Sequence, residues 1–596
     1  MKKLLSCLAL VSLIFAGLTS QPAPAAEKPG IEWRPWSGDL FKQAQKEHRY
    51  VLLDLEAGWC HWCHVMDAIT YRDPKVIALI KAKYLPVKVD QDARPDISNR
   101  YEDYGWPATV VFNSDGSEIV KRQGYLPPTL MSSMLQAIID DPSPGPSVVK
   151  EEPLEPATAA GLTANERAKL ERVLRDDYDQ KNHGWGTVQK FLDWDVIEFC
   201  IAKTLAGDRD FERMARETLD AQLQLIDPVW GGVDQYSTDG DWQHPHFEKI
   251  MQFQAENLRI YAEAYALWQD PKYLEAAKKI RGFLRNFLTS PEGAFYTSQN
   301  ADVKNGEEST GYYQLDDGGR RKRGLPRIDQ HIYTRENGWA INALATFSAV
   351  SGDETALKDA TRATDWIIAH RSLGNGGFAH DEHDSAGPYL GDSVYMARAF
   401  LKLYEVTGDR QWLQHAGETA QFAAKNFSGE PGYQSVERSL GTQLPPKPQT
   451  DENCAFARLT NLLSYYDGNA EDHAHAEHAM HYLAIPSVAE RRGFLVGGIL
   501  LADREFSSPP LHLTIVGDKS DPKAKELFRA ALREPATYKR VEWFDRREAA
   551  LPNSDVEFPT LDRAAAFVCT DRSCSLPLFE PLKIHAFVSR RSATSR

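Results

Sequence analysis

A chain of 596 residues with a formal net charge of −15 and no basic cluster is a poor match for nucleic acid or for an anionic membrane surface, and it contains no glycine-rich phosphate loop. That length exceeds what one hydrophobic core organises, so two or more domains are expected.

The first 26 residues read as a secretory signal peptide: Lys2-Lys3, the apolar run Leu4 to Leu18, then small residues from Gln21 to Ala26. Export, with the periplasm as destination, is the expectation. No later segment is long and apolar enough to span a bilayer. Cys60, Cys63, Cys200, Cys454, Cys569 and Cys574 remain, too few for a disulfide scaffold but enough for one or two redox pairs.

Residues 27–140 read as a thioredoxin-like α/β domain. The apolar run Tyr50 to Leu55 predicts a buried strand, and the residues from His64 through Ile80 predict the helix it feeds. Between them stands Trp59-Cys60-His61-Trp62-Cys63-His64. Two cysteines at a helix start meet unpaired N–H groups and the positive end of the helix dipole, which stabilise a thiolate on Cys60. Cys63 then acts as the resolving thiol and Asp54, on the preceding strand, as its proton acceptor. Trp59 covers the site, and His61 favours the thiolate. Trp106-Pro107, before the strand Ala108 to Phe112, occupies the place of a cis-proline loop that positions a substrate strand. Tyr84 to Val89 predicts a further strand and Thr129 to Ile139 a helix. Cys60-His61-Trp62-Cys63-His64 also satisfies the c-type haem attachment pattern, and a plain structural disulfide is the other alternative. Structural zinc needs two more ligands nearby, and none is evident.

Residues 141–160 form a proline-rich, acidic linker, and residues 161–490 repeat a helix-turn-helix pattern. Gly207-Asp208, Gly352-Asp353 and Gly408-Asp409, with variants at Asp270-Pro271 and Gly468-Asn469, mark αα-hairpins in which Gly ends one helix and Asp caps the next. Glycine-aromatic segments such as Gly184-Trp185-Gly186 and Gly376-Gly377-Phe378 punctuate the hairpins. Such units bury nothing alone, and closure into an (α/α)6 toroid is preferred over an open solenoid. Its mouth gathers His246, Glu248, Asp302, Asp329 and Asp392, a candidate carboxylate site of the kind glycosidic chemistry uses. Each of these acids also has the bland reading of a helix cap or solvated loop. His473, His475, His478 and His481 have helical spacing but read as a solvated face, not a metal site.

Residues 491–596 are expected to form a small α/β appendage, with strands at Leu511 to Val516, Lys539 to Phe544 and Ala564 to Cys569 and a helix from Asp521 to Leu532. Its Cys569 and Cys574 are close enough in sequence to form a second disulfide, a staple in preference to a redox pair.

These marks together resemble the thioredoxin-like, six-hairpin family of spermatogenesis-associated protein 20 and its bacterial relatives. The most specific are Cys60 to Met66, Val87-Lys88-Val89-Asp90 with Arg94-Pro95-Asp96, Gly105-Trp106-Pro107, Pro245 to Lys249, Ala301-Asp302 and the Cys569 to Cys574 loop. The resemblance covers nearly all of the chain after the signal. It implies a thioredoxin-like domain followed by an (α/α)6 domain similar to glycosidases and N-acylglucosamine 2-epimerase, without implying a reaction. Two departures stand out, a short segment between Ile97 and Gly105 and the pair Arg335-Glu336.

The function expected is an exported thiol–disulfide oxidoreductase without cofactor or metal, working on a protein disulfide client with a redox partner protein. The alternative is a carbohydrate-active or carbohydrate-binding toroid whose cysteine pair is regulatory.

Overall fold

The computed structural model describes residues 30–149, 153–384, 386–437, 444–553, 555–570 and 573–594. The expected signal peptide lies outside the described residues. Among them, no helix is long and apolar enough to cross a membrane.

The N-terminal unit runs α1 (Leu40–Glu47), β1 (Tyr50–Glu56), α2 (His61–Ile69), α3 (Pro74–Lys83), β2 (Tyr84–Asp90), α4 (Pro95–Arg100), β3 (Ala108–Phe112), β4 (Glu118–Gln123) and α5 (Pro128–Asp140). Its sheet has the order β2-β1-β3-β4, with β1 parallel to β2 and antiparallel to β3. Period-two alternation splits β1 between two apolar layers: Leu53 and Leu55 pack with Trp36 and Phe41, Leu52 with Met66, Ile80 and Leu135. The single helix expected from His64 to Ile80 is in fact two. Pro74 has no N–H to donate back into α2, and Asp73 caps a new helix by accepting from Lys75 N (2.9 Å) and Val76 N (3.0 Å).

The central unit is an (α/α)6 toroid. Its helices are α6 (Ala164–Asp176), α7 (Trp194–Leu205), α8 (Arg209–Gln222), α9 (Met251–Trp268), α10 (Pro271–Phe287), the short α11 (Thr310–Tyr313) and α12 (Asp317–Arg323), α13 (Thr334–Ser351), α14 (Glu354–Arg371), α15 (Leu390–Thr407), α16 (Arg410–Phe427), α17 (Thr450–Asp467), α18 (Ala470–Leu483), α19 (Pro486–Arg491) and α20 (Gly497–Phe506). Helices α7, α9, α13, α15, α17 and α20 touch in that order, and α20 returns to α7, so the inner ring closes. The hairpin turns have the expected chemistry. Gly352, Gly408 and Gly468 end inner helices in the left-handed region, and Asp353, Asp409 and Asn469 cap the outer helices that follow. The sixth pair is different: α20 lies beyond the expected end of the toroid at 490, and its Asp503 accepts from Leu162 N (2.8 Å) and Arg167 Nε (2.6 Å) at the start of α6. The two ends of the toroid chain thus close the ring on each other. On the axis, every inner helix contributes polar residues to a common space (among them Glu198, Arg259, Asn342, Arg398, Arg458 and Glu505), with Arg458 bonded to Glu505 (2.8 Å) and Arg259 to Glu198 (2.8 Å).

Short strands β5 (Tyr236–Ser237) to β9 decorate the mouth where inner helices begin; β6 (Pro245–His246) pairs with β5, while β7 (Lys249–Ile250), β8 (Ser298–Gln299) and β9 (Ile328–Asp329) form one small sheet. The N-terminal unit sits on this mouth. At the opposite end, where hairpins turn, sits the C-terminal unit: β10 (Leu511–Val516), α21 (Pro522–Leu532), β11 (Lys539–Phe544), β12 (Ala565–Thr570), β13 (Ser573–Cys574) and α22 (Pro581–Thr594). Its order β11-β10-β12-β13, parallel then antiparallel, repeats that of the N-terminal sheet.

Candidate redox site at the mouth of the toroid

The sharp turn after β1 ends at Cys60, which caps α2: its Sγ accepts the N–H of Cys63 (3.1 Å), and the two sulfurs are joined as a disulfide. Trp106-Pro107 is a cis peptide, and Trp106 packs beside the cysteines with Trp59. Trp62 points away, exposed and stacked on Tyr125.

Asp54 lies on the face of β1 beneath α2. Its Oδ2 accepts from Lys88 Nζ (2.8 Å), its parallel-strand neighbour, and its Oδ1 has no hydrogen-bond partner among the described residues. Burial pushes its carboxyl above the ordinary range, against the pull of Lys88. Lys88 also holds Glu56 (2.7 Å) and Asp67 (2.8 Å), so these three acids, grouped closely enough to bind a metal, already share an ammonium.

The toroid supplies the rest. Asp302, from the loop after β8, takes His61 Nδ1–H on Oδ1 (2.8 Å), while its Oδ2 meets His64 Nδ1 (3.2 Å) and accepts from Gly306 N (2.8 Å). Burial disfavours its charge, yet these contacts hold it at about 2. Asp302 in turn raises His61 through that hydrogen bond. Glu248 Oε1 accepts the backbone N–H of His61 (3.2 Å); its Oε2 is buried with no hydrogen bond among the described residues and has His246 Nδ1 3.9 Å away, and burial lifts the carboxyl to about 7. His246 stacks on Tyr236 and is lowered to about 4, by burial and then by His61. Ile250 and Phe253 close over the sulfurs, leaving Cys60 4% and Cys63 2% exposed.

The remaining toroid candidates act at one remove. Asp392 Oδ1 accepts from His380 Nδ1 (2.9 Å), whose Nε2 donates to the carbonyl of Asp92 (2.7 Å), and the Asp92 carboxylate accepts from Trp59 Nε1 (2.8 Å). With acceptors on both ring nitrogens His380 is an imidazolium; burial opposes the charge, but Asp392 raises it to about 9. Asp329, bonded to His331 (2.6 Å), lies with Asp90 beside Gly58. All five toroid residues therefore gather at the interface, and Glu248 and Asp302 are bound to the redox helix and do not face each other as a free acid pair.

His64 and Lys88, quoted above only within motifs, and Asp92 and His380 are contributors to which the sequence reading gave no role. His64 was legible, since it shares a helix face with His61 three residues earlier. His380 carried no such signal. On α18, His475, His478 and His481 are half-buried, not solvated, and accept or donate within the fold to Tyr433, Gly429 and Ala157. In the C-terminal unit Cys569 and Cys574 form a disulfide directly across the β12–β13 hairpin.

The family model Thioredox_DsbH, described as a protein of unknown function, DUF255, matches residues 22–140. Human spermatogenesis-associated protein 20 is 21% identical, over 93% of this chain and 89% of its own length. The rat protein of the same name is 22% identical over 73% of this chain and 72% of its own. Among solved structures, cellobiose 2-epimerase from Bacillus thermoamylovorans B4167 superposes with a TM-score of 0.44 at 12% identity, covering 54% of this chain and 86% of that one.

Proposed function

We propose that this chain, which belongs to the family of spermatogenesis-associated protein 20 and its relatives, is an exported thiol–disulfide oxidoreductase whose toroid holds and shields the reactive pair. The observation that carries the reading is the Cys60–Cys63 disulfide at the start of α2, with Cys60 Sγ in the place where helix N–H groups stabilise a thiolate.

In the reductive direction the Cys60 thiolate attacks a client disulfide, forming a mixed disulfide and releasing one client thiolate. Cys63 gives its proton to a base and attacks Cys60 Sγ; the Cys60–Cys63 disulfide forms and the second client sulfur leaves as thiolate. The unpartnered Oδ1 of Asp54 is the base in this account, and Pro107 borders the client strand. A dithiol redox partner protein restores the pair; with an oxidising partner the same steps run backwards. The periplasm is the proposed compartment.

Because Cys60 is almost covered, a protein client must displace the contacts of Asp302 and Glu248 before exchange. The test is trapping. With Cys63→Ala, an attacked client stays bound to Cys60, so discrete adducts in the exporting cell that vanish in the Cys60→Ala, Cys63→Ala double variant support the reading. A complete absence of adducts, with a pair that also fails to exchange with dithiothreitol, rejects it.

A further inference from the structure

Beside Trp59, the two domains line a cavity of ≈170 Å³ that shares Trp59, Trp106, Ile250 and Phe253 with the cover over the sulfurs. Neither Cys60, Cys63 nor Pro107 lines it, and none of His246, Glu248, Asp302, Asp329 and Asp392 does. Four lining side chains carry a buried polar atom with no hydrogen-bond partner among the described residues: Trp106 Nε1 from the N-terminal unit, and Trp339 Nε1, Glu336 Oε2 and Glu452 Oε2 from the toroid. Each glutamate has its other oxygen already committed. Glu336 Oε1 accepts from Arg335 (2.8 Å) and Glu452 Oε1 from Asn99 (3.2 Å). An unpaired buried polar atom forfeits its hydration without return, so native interiors rarely hold four together without a reason.

We propose that this cavity binds a small, uncharged, polyhydroxylated molecule between Trp106 on one side and Trp339, Glu336 and Glu452 on the other.

The chemistry of the wall selects the class. Two indole N–H groups need acceptors and two carboxylate oxygens need donors, and a hydroxyl provides both. A cation serves the carboxylates but leaves the indoles unpaired. An anion meets the reverse problem, in a wall that also contains Asp92, Glu102 and Asp451 against the single cation Arg335, itself held on Glu336. The aromatic rings of Trp59, Phe253 and Tyr395 share the wall with the amides of Gln91, Gln235, Gln252 and Gln449, so apolar ring faces and hydrogen-bonding groups alternate as a hydroxylated ring requires. The inference does not rest on the redox reading, because the ligand touches neither sulfur.

Calorimetry of the full chain with D-glucose, D-mannose, N-acetyl-D-glucosamine and cellobiose, alongside a glycine-alanine peptide and glucose 6-phosphate, tests it. The expected result is saturable binding of at least one neutral sugar, weakened ~10-fold or more by Glu452→Gln and by Trp339→Phe. Trp106→Phe, a change in the other domain, should have the same effect and guards against misfolding of the toroid variants. No binding of any neutral sugar overturns the proposal and leaves the cavity to water. Preference for the peptide or the phosphate, or sugar binding untouched by all three variants, overturns it equally.

Discussion

The two α/β units that close the ends of the toroid share a strand order and differ in how they are held. The C-terminal unit is fused to the helices: Leu513, Ile515, Val541, Trp543 and Ile584 belong to the same apolar cluster as the toroid core. The N-terminal unit has two apolar clusters of its own, shares with the toroid the small one over the sulfurs, and otherwise meets it mainly through polar contacts, His380 on Asp92, Asp302 on His61 and His64, Asn99 on Glu452, and Gln449 on Glu102 (3.0 Å). Their cysteines differ in place as well. Cys60 and Cys63 follow the central strand β1, whereas the corresponding turn after β10 is Gly517 to Asp521, without cysteine. Cys569 pairs in register with His512, at the opposite end of β10 from that turn, and its disulfide fastens a hairpin. One scaffold thus serves twice, once docked by groups that can let go and once welded by a core.

The sharpest way to break this comparison is to interchange the cysteines' roles. Cys60→Ala should abolish thiol–disulfide exchange, a loss of at least ~10³-fold in a dithiothreitol-coupled assay, while Cys569→Ala with Cys574→Ala should leave the rate unchanged. Next in size is the polar latch. His380→Asn strands the buried Asp392 carboxylate and should cost about 3 kcal/mol in chemical denaturation followed by a probe in the N-terminal unit. The wild-type contribution has a defined sign: His380 is raised from the ordinary 6.5 to about 9, so its stabilisation is complete below pH 6.5 and disappears as pH rises through 9. His380→Asn should flatten that loss. Removing the Cys569–Cys574 staple should lower stability by about 2 kcal/mol, read in the C-terminal unit. The smallest effect sharpens the idea of a shield: Asp302→Asn should speed reduction of Cys60–Cys63 by dithiothreitol ~10-fold, measured by alkylation and mass spectrometry, because the cover over Cys60 loosens.

Much of this architecture is legible in the chain itself. The alternation of Tyr50 to Leu55, the cysteines at a helix start and the Gly-Asp hairpin turns are local signals, and each produced the element it implied. The break at Asp73-Pro74 was equally local. The sixth helix pair was not, because α6 and α20 meet without a turn between them and close the ring across the whole toroid sequence. The site follows the same division. Cys60, Cys63 and Asp54 are readable from spacing, but Asp302 and Glu248 looked like carboxylates of a separate toroid site. Only the docking of two domains, more than two hundred residues apart in the case of His61 and Asp302, turns them toward the redox helix. Lys88 was hidden for a related reason: its partner Asp54 is fixed by parallel register, which a single strand does not reveal.

The central claim is that Cys60–Cys63 is a reactive pair and Cys569–Cys574 is not. Equilibrating the full chain in a series of glutathione or dithiothreitol buffers, then alkylating and locating the label by mass spectrometry, tests both halves in one titration. Cys60 and Cys63 should titrate reversibly as a two-electron couple within the span of thioredoxin-fold oxidoreductases, about −270 to −120 mV, while Cys569–Cys574 stays oxidised down to about −300 mV. A Cys60–Cys63 disulfide that resists reduction as firmly as the hairpin staple, or a staple that titrates first, would contradict it.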